Sequence, residues 1–187
     1  MARWCSRQGA VLRVWDSREN PPQAQALRDG VPGATLLTGE LAEAQLDGVA
    51  RVLKSPGLAP QDQRIAPLLA AARARGIAVQ GELELFIEAL AALKADSGYA
   101  PRLLAITGTN GKTTTTALTA LLVERAGRSV AAAGNIGPTL LDSLGRALDE
   151  AALPEVWVME LPRFQLDGGN GFAPDAATAP NITHDHL

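Results

Sequence analysis

Short apolar runs alternate along the chain with longer Ala- and Leu-rich amphipathic stretches. The runs predict strands near Val11–Trp15, Ala34–Leu37, Arg51–Lys54, Ile77–Val79, Arg102–Thr107, Ser129–Ala133, Val156–Met159 and Ala176–Asn181. The stretches between them predict helices near Gln23–Asp29, Asp62–Arg75, Leu83–Ala95, Lys112–Ala126 and Pro138–Ala147, with Gly76 and Gly127 as stop signals. Within Asp62–Arg75, Ile65, Leu68, Leu69 and Ala72 recur at three- and four-residue spacing, which is one apolar face for packing. Strand and helix in alternation predict an α/β fold built from βαβ units around parallel sheets. The segment from Ala95 to Pro101, with Gly98 inside it, separates a finished helix from a fresh strand. It divides the chain into expected domains at 1–96 and 97–187.

Composition narrows the function. Hydrophobic residues make up 47% and charged residues 20% of 187, which is a folding chain and not a disordered one. A net charge of −3 and 4% aromatic content argue against a nucleic-acid partner. Cys5 is the single cysteine, so an internal disulfide and a multi-Cys zinc site are excluded, and it reads as a small apolar residue. Arg3, Arg7 and Arg13 interrupt any signal-like run, and no stretch reaches the roughly 18–20 apolar residues of a membrane span. A cytoplasmic protein without a membrane partner is expected.

The sharpest feature follows the strand at Arg102–Thr107. The loop Gly108-Thr109-Asn110-Gly111-Lys112-Thr113-Thr114 opens directly into a helix. Its glycines let backbone N–H groups approach phosphate oxygens, and the helix N-terminus adds partial positive charge. Lys112 is suited to neutralise terminal phosphates and the Thr113 hydroxyl to ligate Mg²⁺, which points to a nucleoside triphosphate such as ATP. The pattern is the short G-T-N-G-K-T form, because Ile106 stands where the longer phosphate loop has its first glycine.

In an open parallel sheet, ligands sit beyond the carboxyl ends of the strands. Three further strands deliver polar residues to that rim. Ser129–Ala133 delivers Gly134-Asn135-Ile136-Gly137, Val156–Met159 delivers Glu160, and Ala176–Asn181 delivers Thr183-His184-Asp185-His186. Glu160 follows a strand apolar on both faces, where a carboxylate costs several kcal/mol unless a cation accompanies it. It is therefore a candidate Mg²⁺ ligand and catalytic residue, with His186 as a second ligand. Asn135 suits contact with a substrate or a metal-bound water, and equally well a turn beside two glycines.

These segments, ITGTNGKTT, GNIG, MEL..FQL and NIT.DHL, resemble in order and spacing the motifs of the Mur ligase family. SPGLAP, GELELF and ELPRFQLD resemble its D-glutamate-adding branch. The resemblance spans nearly the whole chain. It implies a Rossmann-like N-terminal domain for a UDP-linked substrate, then part of a P-loop-type ATPase domain. It implies ATP-dependent amide formation between UDP-N-acetylmuramoyl-L-alanine and D-glutamate through an acyl phosphate, in peptidoglycan synthesis, by a monomer. On it, Lys112 and Mg²⁺ stabilise the transferring phosphoryl group, and Glu160 and His186 hold a second Mg²⁺ near the substrate carboxylate. Only the resemblance assigns Asp16, Ser17, Arg18, Ser55, Pro56 and Gly57 to substrate binding; on their own they read as turns.

There are departures. Family members begin with a strand and glycine-rich loop before the helix that holds MARWCSRQGA, and continue past DHL through a lysine-bearing segment into a third domain. Pro162-Arg163 stands where two serines are usual, and His184 is a further difference. The expectation is a chain truncated at both ends, inactive by itself and prone to aggregate at its unpaired strand edges. The alternatives are a non-catalytic ATP-binding module, or a related ligase such as folylpolyglutamate synthase.

Overall fold

Eight short strands, all paired in parallel, carry the architecture of the computed structural model, which describes residues 1–55, 57–59, 61–135, 137–162 and 172–181. Contacts divide the chain into two units, Met1–Gln80 and Gly81–Leu187.

In the first unit, helix α1 (Ala2–Arg7) leads into strand β1 (Arg13–Asp16), helix α2 (Ala24–Gly30) and strand β2 (Thr35–Thr38), and β1 pairs with β2. A 3-10 turn at Glu43–Leu46 precedes β3 (Arg51–Leu53), α3 (Ala66–Ala74) and β4 (Ala78–Gln80), and β3 pairs with β4. Two βαβ units result, each closed by its own helix. Cys5, Val31, Leu46, Ile65, Leu69 and Ala72 are buried here. Cys5 is thus the apolar core residue its composition suggests, and burial pushes its thiol pKa up. Helix α3 starts four residues later than its apolar spacing predicts. The Asp62 carboxylate accepts from the Arg64 backbone and guanidinium, which folds residues 62–64 into a tight turn before the helix.

The second unit opens with helix α4 (Glu82–Ser97), which runs two residues past the predicted end at Ala95 and stops on Gly98 in the left-handed conformation. Strands β5 (Arg102–Ile106), β6 (Val130–Gly134), β7 (Val156–Glu160) and β8 (Ala176–Thr178) form one sheet in the order β6-β7-β5-β8. Helix α5 (Lys112–Arg125) joins β5 to β6, and α6 (Leu140–Asp149) joins β6 to β7. All five residues of β7 are buried, as a central parallel strand requires. Phe86 of α4 meets Trp157 of β7 edge to face, with ring centroids 5.0 Å apart. Trp157 Nε1 donates to the Tyr99 hydroxyl at 2.9 Å, which donates to the Pro154 carbonyl at 2.6 Å. Glu82 Oε1 accepts from the Leu141 amide at 3.2 Å, placing a carboxylate at the N-terminus of α6. Helix α4 therefore packs with the second unit, and the contact boundary falls at Gly81 instead of near Gly98.

Strand β8 is three exposed residues and survives by its ends. Asp175 accepts from the Leu103 amide at 2.8 Å and from Arg102, and beyond the strand Asn181 holds the loop that follows β5.

Candidate functional site

The register of the four-stranded sheet levels its carboxyl ends. Ile106 lies opposite Glu160 on one side and Thr178 on the other, and Glu160 lies opposite Gly134. Whatever leaves those four positions shares one rim, as the strand order in the sequence predicted for the phosphate loop, Asn135 and Glu160. His186 lies outside the described residues, as does Pro56.

The loop from β5 to α5 has the geometry its glycines allow. Gly108 has φ +128°, and a Cβ there would stand 2.9 Å from the Asn181 carbonyl oxygen. Gly111, with φ +79°, is the residue before the first turn of α5. Thr115 N makes the first intrahelical bond, to Gly111 O, so the amides of Lys112, Thr113 and Thr114 precede the helical ladder. Lys112 is half-buried and folds back over the loop, donating to the carbonyls of Gly108 at 2.6 Å and Thr109 at 3.2 Å. Loop amides ahead of a helix N-terminus, with the Lys112 ammonium beside them, make this loop a candidate anion cradle.

Asn181 closes the cradle from behind. Its side-chain oxygen accepts from the Asn110 amide at 2.9 Å and its carbonyl from the Thr109 amide at 3.2 Å. The strand pattern of the sequence ends on Asn181 and assigns it no role. An Asn at the end of a strand beside a loaded rim was the available signal.

Glu160 is 1% exposed. Among the described residues its carboxylate meets one donor, the Asn135 side-chain amide at 3.4 Å, while the Asn135 backbone amide donates to the Glu160 carbonyl at 2.9 Å. Asn135 is thus both a turn residue and a carboxylate partner. Gly134 makes that approach feasible: it has φ +130°, and a Cβ there would overlap the Glu160 carbonyl oxygen. A buried carboxylate with one long amide contact is under-compensated, and its donor chemistry suits a hard divalent cation. Among the described residues no three His, Cys, Asp or Glu side chains cluster as a closed metal cage. Thr113 and Glu160 remain the candidate oxygen ligands that the sequence nominates for Mg²⁺.

In the first unit, Asp16, Ser17 and Arg18 leave the carboxyl end of β1. Arg18 grips Asp16 through Nε at 2.9 Å, Nη2 at 2.7 Å and its backbone amide at 3.0 Å. This fork holds the Asp16 pKa down at about 2. Asp62 and Arg64 repeat the same arrangement two residues apart, and Asp62 is likewise lowered to about 2. Arg64 Nη1 also donates to Ser17 Oγ at 3.0 Å, so two D-x-R turns meet at one strand edge. Ser55 and Gly57 sit in a turn closed by Leu58 N to Ser55 O at 3.1 Å, over which Lys54 Nζ reaches Leu58 O at 2.8 Å. Sequence reasoning missed Arg64, although the repeat of Asp16-Ser17-Arg18 in Asp62-Gln63-Arg64 was visible in it.

The family model "Mur ligase MurD-like, N-terminal domain" matches residues 1–81, and "Mur ligase middle domain" matches residues 106–187. The chain belongs to the Mur ligase family. The UDP-N-acetylmuramoylalanine–D-glutamate ligase of Burkholderia mallei (strain SAVP1) is 58% identical over 188 aligned residues, covering 100% of this chain and 37% of that protein. The protein of the same name from Burkholderia thailandensis is 57% identical over the same shares. A solved UDP-N-acetylmuramoyl-L-alanyl-D-glutamate–2,6-diaminopimelate ligase superposes on 95% of this chain and 37% of its own, at 21% identity and a TM-score of 0.45. This Mur ligase chain therefore spans 37% of the length of the curated relatives it matches.

Proposed function

We propose that the chain carries the UDP-substrate-binding and ATP-binding parts of a ligase that joins D-glutamate to UDP-N-acetylmuramoyl-L-alanine, with Mg²⁺, for peptidoglycan synthesis. The observation that carries the reading is the level rim of the second unit, where the cradle of Gly108–Thr114 and the buried Glu160 end adjacent strands. The similarity to named D-glutamate ligases supports the choice of substrate. The MurD-like match to residues 1–81 speaks for this branch over folylpolyglutamate synthase.

On this reading Lys112 leaves the loop carbonyls it now caps and turns its ammonium to the terminal phosphates. The amides of the loop and of the first turn of α5 orient the β-phosphate side, and developing charge is met by donors already in place. Bound Mg²⁺ would neutralise phosphate charge, and Thr113 and Glu160 would hold it together with His186. Asn135 keeps Glu160 turned to the rim through its side-chain amide. Asp16, Ser17, Arg18, Ser55, Pro56 and Gly57 receive the UDP half of the substrate. No described helix is long and apolar enough to cross a membrane.

Calorimetric titration of this chain with Mg-ATP and, separately, with UDP-N-acetylmuramoyl-L-alanine tests the two halves of the proposal. Saturable binding of both is expected. Binding of Mg-ATP without any binding of the UDP-sugar would reduce the chain to a nucleotide-binding module.

A further inference from the structure

Ser17 Oγ accepts a hydrogen bond from Arg64 Nη1 at 3.0 Å. A guanidinium has donors and no acceptor, so the direction of this bond is fixed, and the Ser17 hydroxyl proton must point away from Arg64. Among the described residues that proton meets no acceptor, although Ser17 is half-buried. Arg64 itself is not free to follow it. The Asp62 carboxylate takes its Nε at 2.9 Å, its Nη2 at 2.5 Å and its backbone amide at 3.0 Å, which pins the guanidinium plane. The Asp16–Arg18 fork does the same on the other side of Ser17. Two hydrogen-bonded turns thus flank one hydroxyl at the carboxyl edge of β1 whose donor meets no acceptor among the described residues.

We infer that Arg64, fixed by Asp62, is a positioning residue that commits the Ser17 hydroxyl to donate to an acceptor oxygen of a nucleoside diphosphate. The inference rests on the assignment of Asp16-Ser17-Arg18 to the UDP half of the substrate and adds to it a residue that neither the motifs nor that assignment includes. The electrostatics agree with a role through geometry instead of net charge. Each arginine is already matched by its own aspartate, so the cluster is close to neutral, and what it offers a ligand is directed donors.

The test is a double-variant cycle read by calorimetry with UDP as the probe, on Ser17→Ala, Arg64→Ala, the double variant and Arg18→Ala. Each of Ser17→Ala and Arg64→Ala is expected to weaken UDP about three- to tenfold, the size of one hydrogen bond. The double variant should bind no more weakly than Ser17→Ala alone, because Arg64 acts through Ser17. Arg64→Lys retains a donor toward Ser17 without the fork to Asp62 and should recover part of the loss, which a merely unfolded variant would not. The inference is overturned if the Arg64→Ala loss persists undiminished in the Ser17→Ala background. It is equally overturned if Arg64→Ala binds as the parent does while Arg18→Ala does not. If Ser17→Ala and Arg18→Ala both bind UDP as the parent does, the assignment of this edge to the nucleotide fails, and the inference with it.

Discussion

Gly134→Ala puts the strongest local demand of the site to a quantitative test. Gly134 ends β6 opposite Glu160, with φ +130°, and an added Cβ would overlap the Glu160 carbonyl oxygen and stand 3.0 Å from its carbonyl carbon and 3.1 Å from its nitrogen. Two costs follow. A non-glycine residue held in that backbone region costs about 1–3 kcal/mol. Forcing backbone atoms of a buried central strand apart adds roughly 1–3 kcal/mol more. Gly137 separates the two, because it has φ +93° with nothing within 4 Å of an added Cβ. Gly137→Ala should therefore show strain alone, about 1–2 kcal/mol. For a domain near 100 residues each kcal/mol moves Tm by about 4–8 °C. Thermal melts followed by Trp157 fluorescence, in a background with Trp4→Phe and Trp15→Phe, should place Gly134→Ala about 10 °C or more below the parent and clearly below Gly137→Ala. Equal melting temperatures for the two variants would refute the claim that the sheet edge closes on Gly134.

Three other outcomes are expected. Tyr99→Phe removes the hydroxyl that joins Trp157 Nε1 to the Pro154 carbonyl, leaves both without that partner, and should cost about 1–3 kcal/mol in urea unfolding; a change within experimental error would remove the bridge from the account. Glu82→Ala takes the carboxylate from the N-terminus of α6 and should destabilise by about 1–2 kcal/mol, with Glu82→Gln recovering much of it, whereas equal loss in both variants would mean that the charge, and not the hydrogen bond to Leu141, is what matters. The carboxylates of Asp16 and Asp62 have pKa values of about 2, below an ordinary aspartate near 3.9, so their stabilising forks are fully present above about pH 4 and are lost as pH falls through about 2. Carboxyl chemical shifts titrating near pH 4 would show the forks to be absent in solution.

Among the described residues, all eight strands and five of the six helices can be read from the pattern of the chain, because the strands leave short apolar runs and glycines mark the turns between elements. The candidate site residues, the loop Gly108–Thr114, Asn135 and Glu160, stand out for a related reason: each comes immediately after such a run. What escapes the sequence is whatever depends on partners far along the chain. Helix α4 packs with the second unit because Phe86 finds Trp157 and Glu82 finds Leu141, and neither pairing has a local signal. Helix α3 begins late because a fork between Asp62 and Arg64 competes with the helix for the same residues. Asn181 matters through an amide 71 positions earlier, and Arg64 through a hydroxyl 47 positions earlier.

Binding of Mg-ATP to Lys112→Ala tests the nucleotide site most directly. Lys112 is half-buried over the loop and held by two carbonyls, so its removal takes away the cation of the cradle with little disturbance to the sheet. Isothermal titration of parent and variant with Mg-ATP should show saturable binding by the parent and at least a roughly tenfold loss in the variant, the size of one charge-assisted contact to phosphate. Undiminished affinity in Lys112→Ala would contradict the assignment of this rim to ATP.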